Sequence, residues 1–154
     1  MRRRTNPPPA TWVAFGRSAR GYKRFAHFRI AVHVGGLRVT VHIEDDSDDK
    51  GPFAAALRRD RDALLARMLP IDGLTWYSLP AGPEGPLAGR AMTATHLDQL
   101  ADSLSRFKTV EFSAGIPFDR DDPRLDASTG LPPLLLASMQ QLAPLYVAAL
   151  SSPG

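Results

Sequence analysis

Three of the four histidines, His27, His33 and His42, share a short stretch with Arg29, Arg38 and Glu44. Imidazoles titrate near neutrality and serve as general bases when a carboxylate orients them. A guanidinium grips phosphate or carboxylate with a planar fork. Three chemistries compete with a plain solvated sheet face, on which cross-strand pairs add only tenths of a kcal/mol. One is anion binding by Arg29 with donating histidines. The second adds catalysis, with Glu44 orienting His27 as base and His42 beside it. The third is a metal on His27, His42 and Glu44, the donor set of a facial triad. Arg29 next to His42 places a fixed positive charge against a divalent ion, so no metal is expected, and no cofactor. The candidate catalytic residues are therefore His27, Glu44 and His42.

These residues need two strands to bring them together. Residues 25–34 and 37–45 alternate apolar and polar side chains on either side of Gly35-Gly36. Two glycines between such runs predict a type I′ hairpin, which needs positive φ at both loop positions. A two-residue loop sets Val34 opposite Leu37, Val32 opposite Val39, Ile30 opposite Val41 and Phe28 opposite Ile43, an apolar face for helices to cover. The other face then pairs His33 with Arg38, Arg29 with His42 and His27 with Glu44. His96 is expected on a helix away from this face.

Before the hairpin, TWVAFG at 11–16 is rich in β-formers. Pro7, Pro8 and Pro9 make residues 1–10 an extended basic arm. RSARGYKR at 17–24 is a turn. After the hairpin, Pro52 suits the first turn of a helix running to about Met68, with Phe53, Leu57, Leu64, Leu65 and Met68 as its buried stripe. A strand at 73–79, a Gly/Pro loop at 81–89 and a helix capped by Thr95 follow, with Leu97, Leu100, Leu104 and Phe107 facing inward. A strand at 109–116, a polar loop at 119–130 and a final helix from Pro132 or Pro133 to about Leu150, carrying Pro144, complete the chain. The order βββ-α-β-α-β-α predicts an α+β domain over residues 11–150. Its antiparallel sheet has about five strands, and the helices pack on one face.

The 154 residues include no cysteine, which excludes disulfides and thiolate chemistry or thiolate metal sites. No apolar run is expected to reach the 18 or so residues of a membrane span, prolines follow the basic MRRR start, and a cytoplasmic location without membrane contact is the default. The net charge of +3 is uneven: residues 1–45 carry nine Lys/Arg against two acids, and the remainder ten against fourteen. A basic half invites an anionic partner, unless the halves neutralise each other across the fold.

Within the basic half, Arg2-Arg3, Asn6-Pro7-Pro8, Thr11-Trp12-Val13-Ala14-Phe15, Arg20-Gly21-Tyr22-Lys23 and His27-Phe28 follow one another in an order and spacing that resembles the YktB-like family of uncharacterised bacterial proteins. The likeness is close over residues 2–45 and looser to about 118, where SRFKTVEFSAGIPF is similar to a family element. Ala10, Ala19, Ala26, Arg29 and Ala31 depart from the family pattern, and a shorter hairpin keeps His42 and Glu44 from being carried over. The resemblance implies an α+β fold, a soluble bacterial protein and no nameable reaction. It also implies a further N-terminal segment, without which apolar sheet surface would be exposed for a second copy to cover.

Three functions follow. Nucleic acid or another polyanion would meet Arg3, Arg20, Lys23 and Arg29, with Trp12 and Tyr22 to stack on bases. An enzyme would act on a phosphorylated or carboxylated small molecule through the His/Arg/Glu cluster, although phosphate-loop, dinucleotide and nucleophile-elbow patterns are absent. A non-enzymatic homodimeric domain would use the acidic loop at 45–49 as a complementary surface. The expectation adopted is anion binding, with nucleic acid favoured.

Overall fold

A run of β-formers behind Pro9 makes the first strand, β1 (Ala10–Gly16), in a computed structural model that describes residues 9–18, 20–78, 86–126 and 130–150. Arg3 and most of the expected arm lie outside the described residues, as does most of the loop expected at 81–89. After β1 the chain reverses at Gly21, whose φ of 80° is a conformation that a side chain would strain, and a 3-10 turn at Tyr22–Arg24 leads into β2 (His27–His33). β2 folds back on β3 (Gly36–Ile43), as the alternation predicts.

The register differs from the expected one by two residues. His27 is opposite His42, Arg29 opposite Thr40, Ala31 opposite Arg38 and His33 opposite Gly36. The expected pairs His27/Glu44, Arg29/His42 and His33/Arg38 are thus corrected. The loop is Val34-Gly35, neither with positive φ, and Gly36 has moved into the strand with φ 142°. The reason lies in a strand far away in sequence. Gly36 pairs with Asp119 of β6 (Phe112–Asp119), and a Cβ on it would stand 2.0 Å from the Phe118 carbonyl oxygen. The glycine serves that close approach, so it is not free to form the turn. Because the slip is an even number of residues, every side chain keeps its face.

β4 (Thr75–Trp76) pairs with β6, and β5 (Leu87–Ala88) pairs with β4. The sheet has six strands in the order β1-β2-β3-β6-β4-β5, all neighbours antiparallel, one more than expected because β5 is only two residues long. Helices α1 (Lys50–Arg59) and α2 (Arg61–Met68) replace the single helix expected from Pro52, with the break at Asp60. α3 (Ala94–Arg106) begins at Thr93 and not at Thr95. Thr93 Oγ1 accepts from the His96 amide at 3.3 Å, and His96 Nδ1 accepts from the Thr93 amide at 3.2 Å. His96 fills the place that Glu or Gln takes in a capping box. α4 (Leu131–Leu150) ends the described chain.

The helices lie on the apolar face of the sheet. Val39, Val41 and Ile43 of β3, Phe112 and Ala114 of β6, and Phe53, Leu57, Leu100, Leu142 and Leu145 from the helices are all fully buried there. Each large side chain so buried contributes about 1.5–3 kcal/mol. The cover stops short of the sheet edge. Val13, Phe15, Val32 and Val34 remain exposed, and Phe107, expected inside, is exposed as well. α4 also corrects the expectation of no span-length apolar run: it is 20 residues long with mean hydropathy 1.3, long and apolar enough to cross a membrane. In the fold it packs on the sheet through Tyr146 against Phe28, with ring centres 4.8 Å apart, and through buried Leu142 and Leu145.

The acidic loop after β3 turns inward on its own chain. Asp49, buried, accepts from the Ala26 amide at 2.8 Å and from Arg17 at 2.7 Å, and Asp48 pairs with Arg24 at 2.8 Å. Lys50 Nζ, also buried, donates to the carbonyls of Asp45, Phe107 and Lys108 and ties this loop to the end of α3. The loop braces the turn before β2.

Candidate functional site

The face of the sheet opposite the helices collects the residues singled out for chemistry. Alternation along paired strands puts Trp12, Ala14 and Gly16 of β1 beside Ala31, Arg29 and His27 of β2, then Arg38, Thr40 and His42 of β3, then Pro117, Gly115 and Ser113 of β6. An aromatic row crosses this face. Trp12 meets Tyr22 edge-on at 5.1 Å, Tyr22 meets His27 at 5.5 Å, and His27 meets His42 at 5.4 Å between ring centres. The Arg29 guanidinium lies 4.5 Å from the Trp12 ring centre, and that of Arg38 lies 4.2 Å from the centre of Tyr77. Stacked in this way, both guanidiniums are held by cation–π contacts.

His27 and His42 are both almost wholly buried. His27 Nδ1 is 3.0 Å from the Phe25 carbonyl, which can only accept, so Nδ1 carries the proton and Nε2 keeps its lone pair. Arg29 Nη2 stands 3.5 Å from that nitrogen and donates to Glu44 Oε1 at 2.7 Å. Glu44 does not orient His27, as the expected register implied; the Phe25 carbonyl does. The other oxygen of Glu44 is 3.5 Å from His42 Nε2, and Glu111 Oε2 is 3.7 Å from the same nitrogen. Glu111 stands one step beyond the last β3–β6 pair, Ile43 with Phe112, which brings it across from Glu44.

Burial and then the Arg29 charge lower His42 from 6.5 to about 4, and burial lowers His27 in the same direction. Both imidazoles are neutral at pH 7. Burial works to raise Glu44, but His42 and Arg29 outweigh it and the carboxyl is held below its ordinary value. Glu111 is pushed up by burial and by the charge of Glu44. The fixed positive charge beside these two imidazoles is that of Arg29. The neutral Nε2 of His27 is placed to take a proton.

Of the expected site residues, the fold brings together Trp12, Tyr22, His27, Arg29, His42 and Glu44. Arg20 and Lys23 are exposed on the turn that carries Tyr22, at the rim. Arg3 lies outside the described residues. Sequence reasoning missed Glu111 and Tyr77. Glu111 has the same parity as Ser113, but that locates it only once β6 is known to pair with β3. Five buried side-chain nitrogens among the described residues have no hydrogen-bond partner, and four of them, Arg29 Nε, His33 Nε2, Arg38 Nε and His42 Nε2, lie on this face.

The chain resembles bacterial proteins along nearly its whole length. A family described as a domain of unknown function, DUF1054, matches residues 1–146. A UPF0637 protein of Staphylococcus aureus strain JH9 is 30% identical over 147 residues, which cover 96% of this chain and 70% of that protein. One from Oceanobacillus iheyensis is 27% identical over 151 residues, covering 98% and 70%. A third, from Latilactobacillus sakei, is 26% identical over 150 residues, covering 95% and 69%. The likeness thus extends well past residues 2–45.

Proposed function

Because the chain belongs to the DUF1054 family, a domain of unknown function matched over residues 1–146, we propose its role from the site itself: the polar sheet face binds a compact anion bearing phosphate or carboxylate, held by Arg29 and Arg38. The observation that carries this reading is the set of four unpartnered buried nitrogens on one face. A buried polar group left unpaired costs about 1–3 kcal/mol. Two of the four are guanidinium Nε–H groups, which only donate, so the group that repays them is an acceptor, and a charged acceptor repays them best. Arg38 has no carboxylate within 4.0 Å among the described residues. Arg29 faces Thr40 and Arg38 lies two residues along the same strand, a diagonal spacing of about 7–8 Å that one or two phosphoryl groups can bridge.

A compact ligand fits better than a nucleic acid. Arg17 and Arg24 are engaged by Asp49 and Asp48, and the Trp12 ring already carries Arg29 and the edge of Tyr22. Among the described residues, Arg20 and Lys23 at the rim are the cations placed to extend the grip along a longer polyanion.

Arginine Nε–Hε resonances test this directly, with pyrophosphate as the probe and EDTA present. The Arg29 and Arg38 signals are expected to shift saturably, and Arg38→Ala to weaken binding about tenfold or more, one lost charge-assisted contact. Unmoved signals up to millimolar pyrophosphate refute the reading. Retention on single-stranded DNA that Arg20→Ala with Lys23→Ala abolishes, while both Nε signals stay still, would assign a polyanion to the rim instead.

A further inference from the structure

We propose that His42 Nε2, Glu44 Oε2 and Glu111 Oε2 hold one divalent transition-metal cation, of the Zn2+ or Mn2+ type. The inference does not need the anion site. It stands first on a mismatch: a ring nitrogen, 4% exposed as a side chain, points between two carboxylate oxygens 3.5 and 3.7 Å away and forms a hydrogen bond to neither. A buried ring nitrogen left without a hydrogen bond beside two carboxylates is an unsatisfied arrangement. A cation between the three groups converts the same arrangement into three attractive contacts.

The geometry agrees. Zinc bonds of about 2.0–2.2 Å to nitrogen and oxygen at tetrahedral angles separate ligand atoms by about 3.3–3.6 Å. The nitrogen-to-oxygen distances are close to that, and all three ligand atoms lie within 4.8 Å of one another. Glu111, with its side chain 56% exposed, is free to close the remaining gap, whereas His42 is held in β3 and Glu44, just past its end, by Arg29. The nitrogen donor selects a transition metal over magnesium or calcium. Three protein ligands leave positions for water or an anion, the pattern of zinc sites that work on a ligand and not of closed structural ones.

Arg29 is not the obstacle that its charge suggests. It donates to Glu44 Oε1 at 2.7 Å and so turns Oε2 toward His42. Hydrogen bonds of this kind orient metal-ligating carboxylates. Counting each imidazole as an uncharged donor, Arg29, Glu44 and Glu111 give the cluster a formal charge of −1, and a divalent ion makes it +1. His27, a donor in the triad weighed and set aside from the sequence, is not part of the site, because its Nε2 faces Arg29. Glu111 takes its place.

The test is calorimetric titration of tag-free, EDTA-stripped full chain with zinc chloride and with manganese chloride at pH 7, with no anion added beyond buffer and chloride. Cobalt absorption gives a second readout. One equivalent of metal is expected, weakened at least about tenfold by Glu111→Gln and by His42→Ala. Should His42→Ala fail to fold, the half-exposed Glu111→Gln decides alone. No uptake by the wild type overturns the proposal, and so does uptake undiminished in Glu111→Gln. Uptake lost in His33→Ala with His96→Ala overturns it too, by assigning the metal to those histidines. Pyrophosphate shifts at Arg38 Nε that persist without metal leave the anion site standing whichever result is found.

Discussion

Buried His42 and half-exposed Glu111 show how surroundings translate into measurable behaviour. The His42 imidazole titrates near 4 in the fold against 6.5 as its ordinary value, so the unfolded chain binds more protons between those pH values. Stability is therefore full above about pH 6.5 and falls as pH drops toward 4. His27 adds to the same slope, since burial lowers it too. Urea unfolding in EDTA should show a constant midpoint above pH 6.5 and a falling one below, with a flatter dependence in His42→Gln. Glu111 has the opposite sign. Its carboxyl is raised by burial and by Glu44, so its ionised form opposes folding at neutral pH. Glu111→Gln should stabilise the metal-free protein at pH 7 by less than about 1 kcal/mol, given its exposure, and should remove the stabilisation that added zinc gives the wild type. The histidines on the polar face were legible because alternation survives an even slip in register. Glu111 was not, because its place depends on β6 crossing to β3 from some 70 residues away.

The elements place these side chains through a few close approaches. Gly36 is the clearest. Alanine there would meet the Phe118 carbonyl at 2.0 Å, with φ 142° adding strain, and no flexible atom can yield. Gly36→Ala should cost at least about 2 kcal/mol in unfolding free energy, while Gly35→Ala, in the loop and against only the His33 ring, should cost clearly less. By residue type both glycines suit the turn; only the β6 contact separates them. The cap of α3 offers a similar contrast. Thr93→Ala should cost about 1 kcal/mol in a thermal or urea melt, and Thr95→Ala little, because Thr93 and His96 satisfy the helix start. The cap at Thr93 is hard to read from sequence, since histidine is not the residue a capping box usually presents.

Across the molecule, the uneven charge is largely an internal matter. Asp48 and Asp49 neutralise Arg24 and Arg17 and fix the turn that carries Tyr22 onto His27. Among the described residues of the basic half, Arg17 and Arg24 are engaged by this loop and Arg29 by Glu44, which leaves Arg20, Lys23 and Arg38 without a carboxylate partner. Fold class, strand alternation and the polar face were readable from local pattern. The order of strands and the partners of each charge were not, since they depend on contacts between distant segments. The sharpest test is a crystal of the protein soaked in tungstate, a heavy-atom phosphate analogue. Anomalous density is expected over the polar face within hydrogen-bond distance of Arg29 and Arg38. Tungstate bound only elsewhere, with that face bare, would contradict the account.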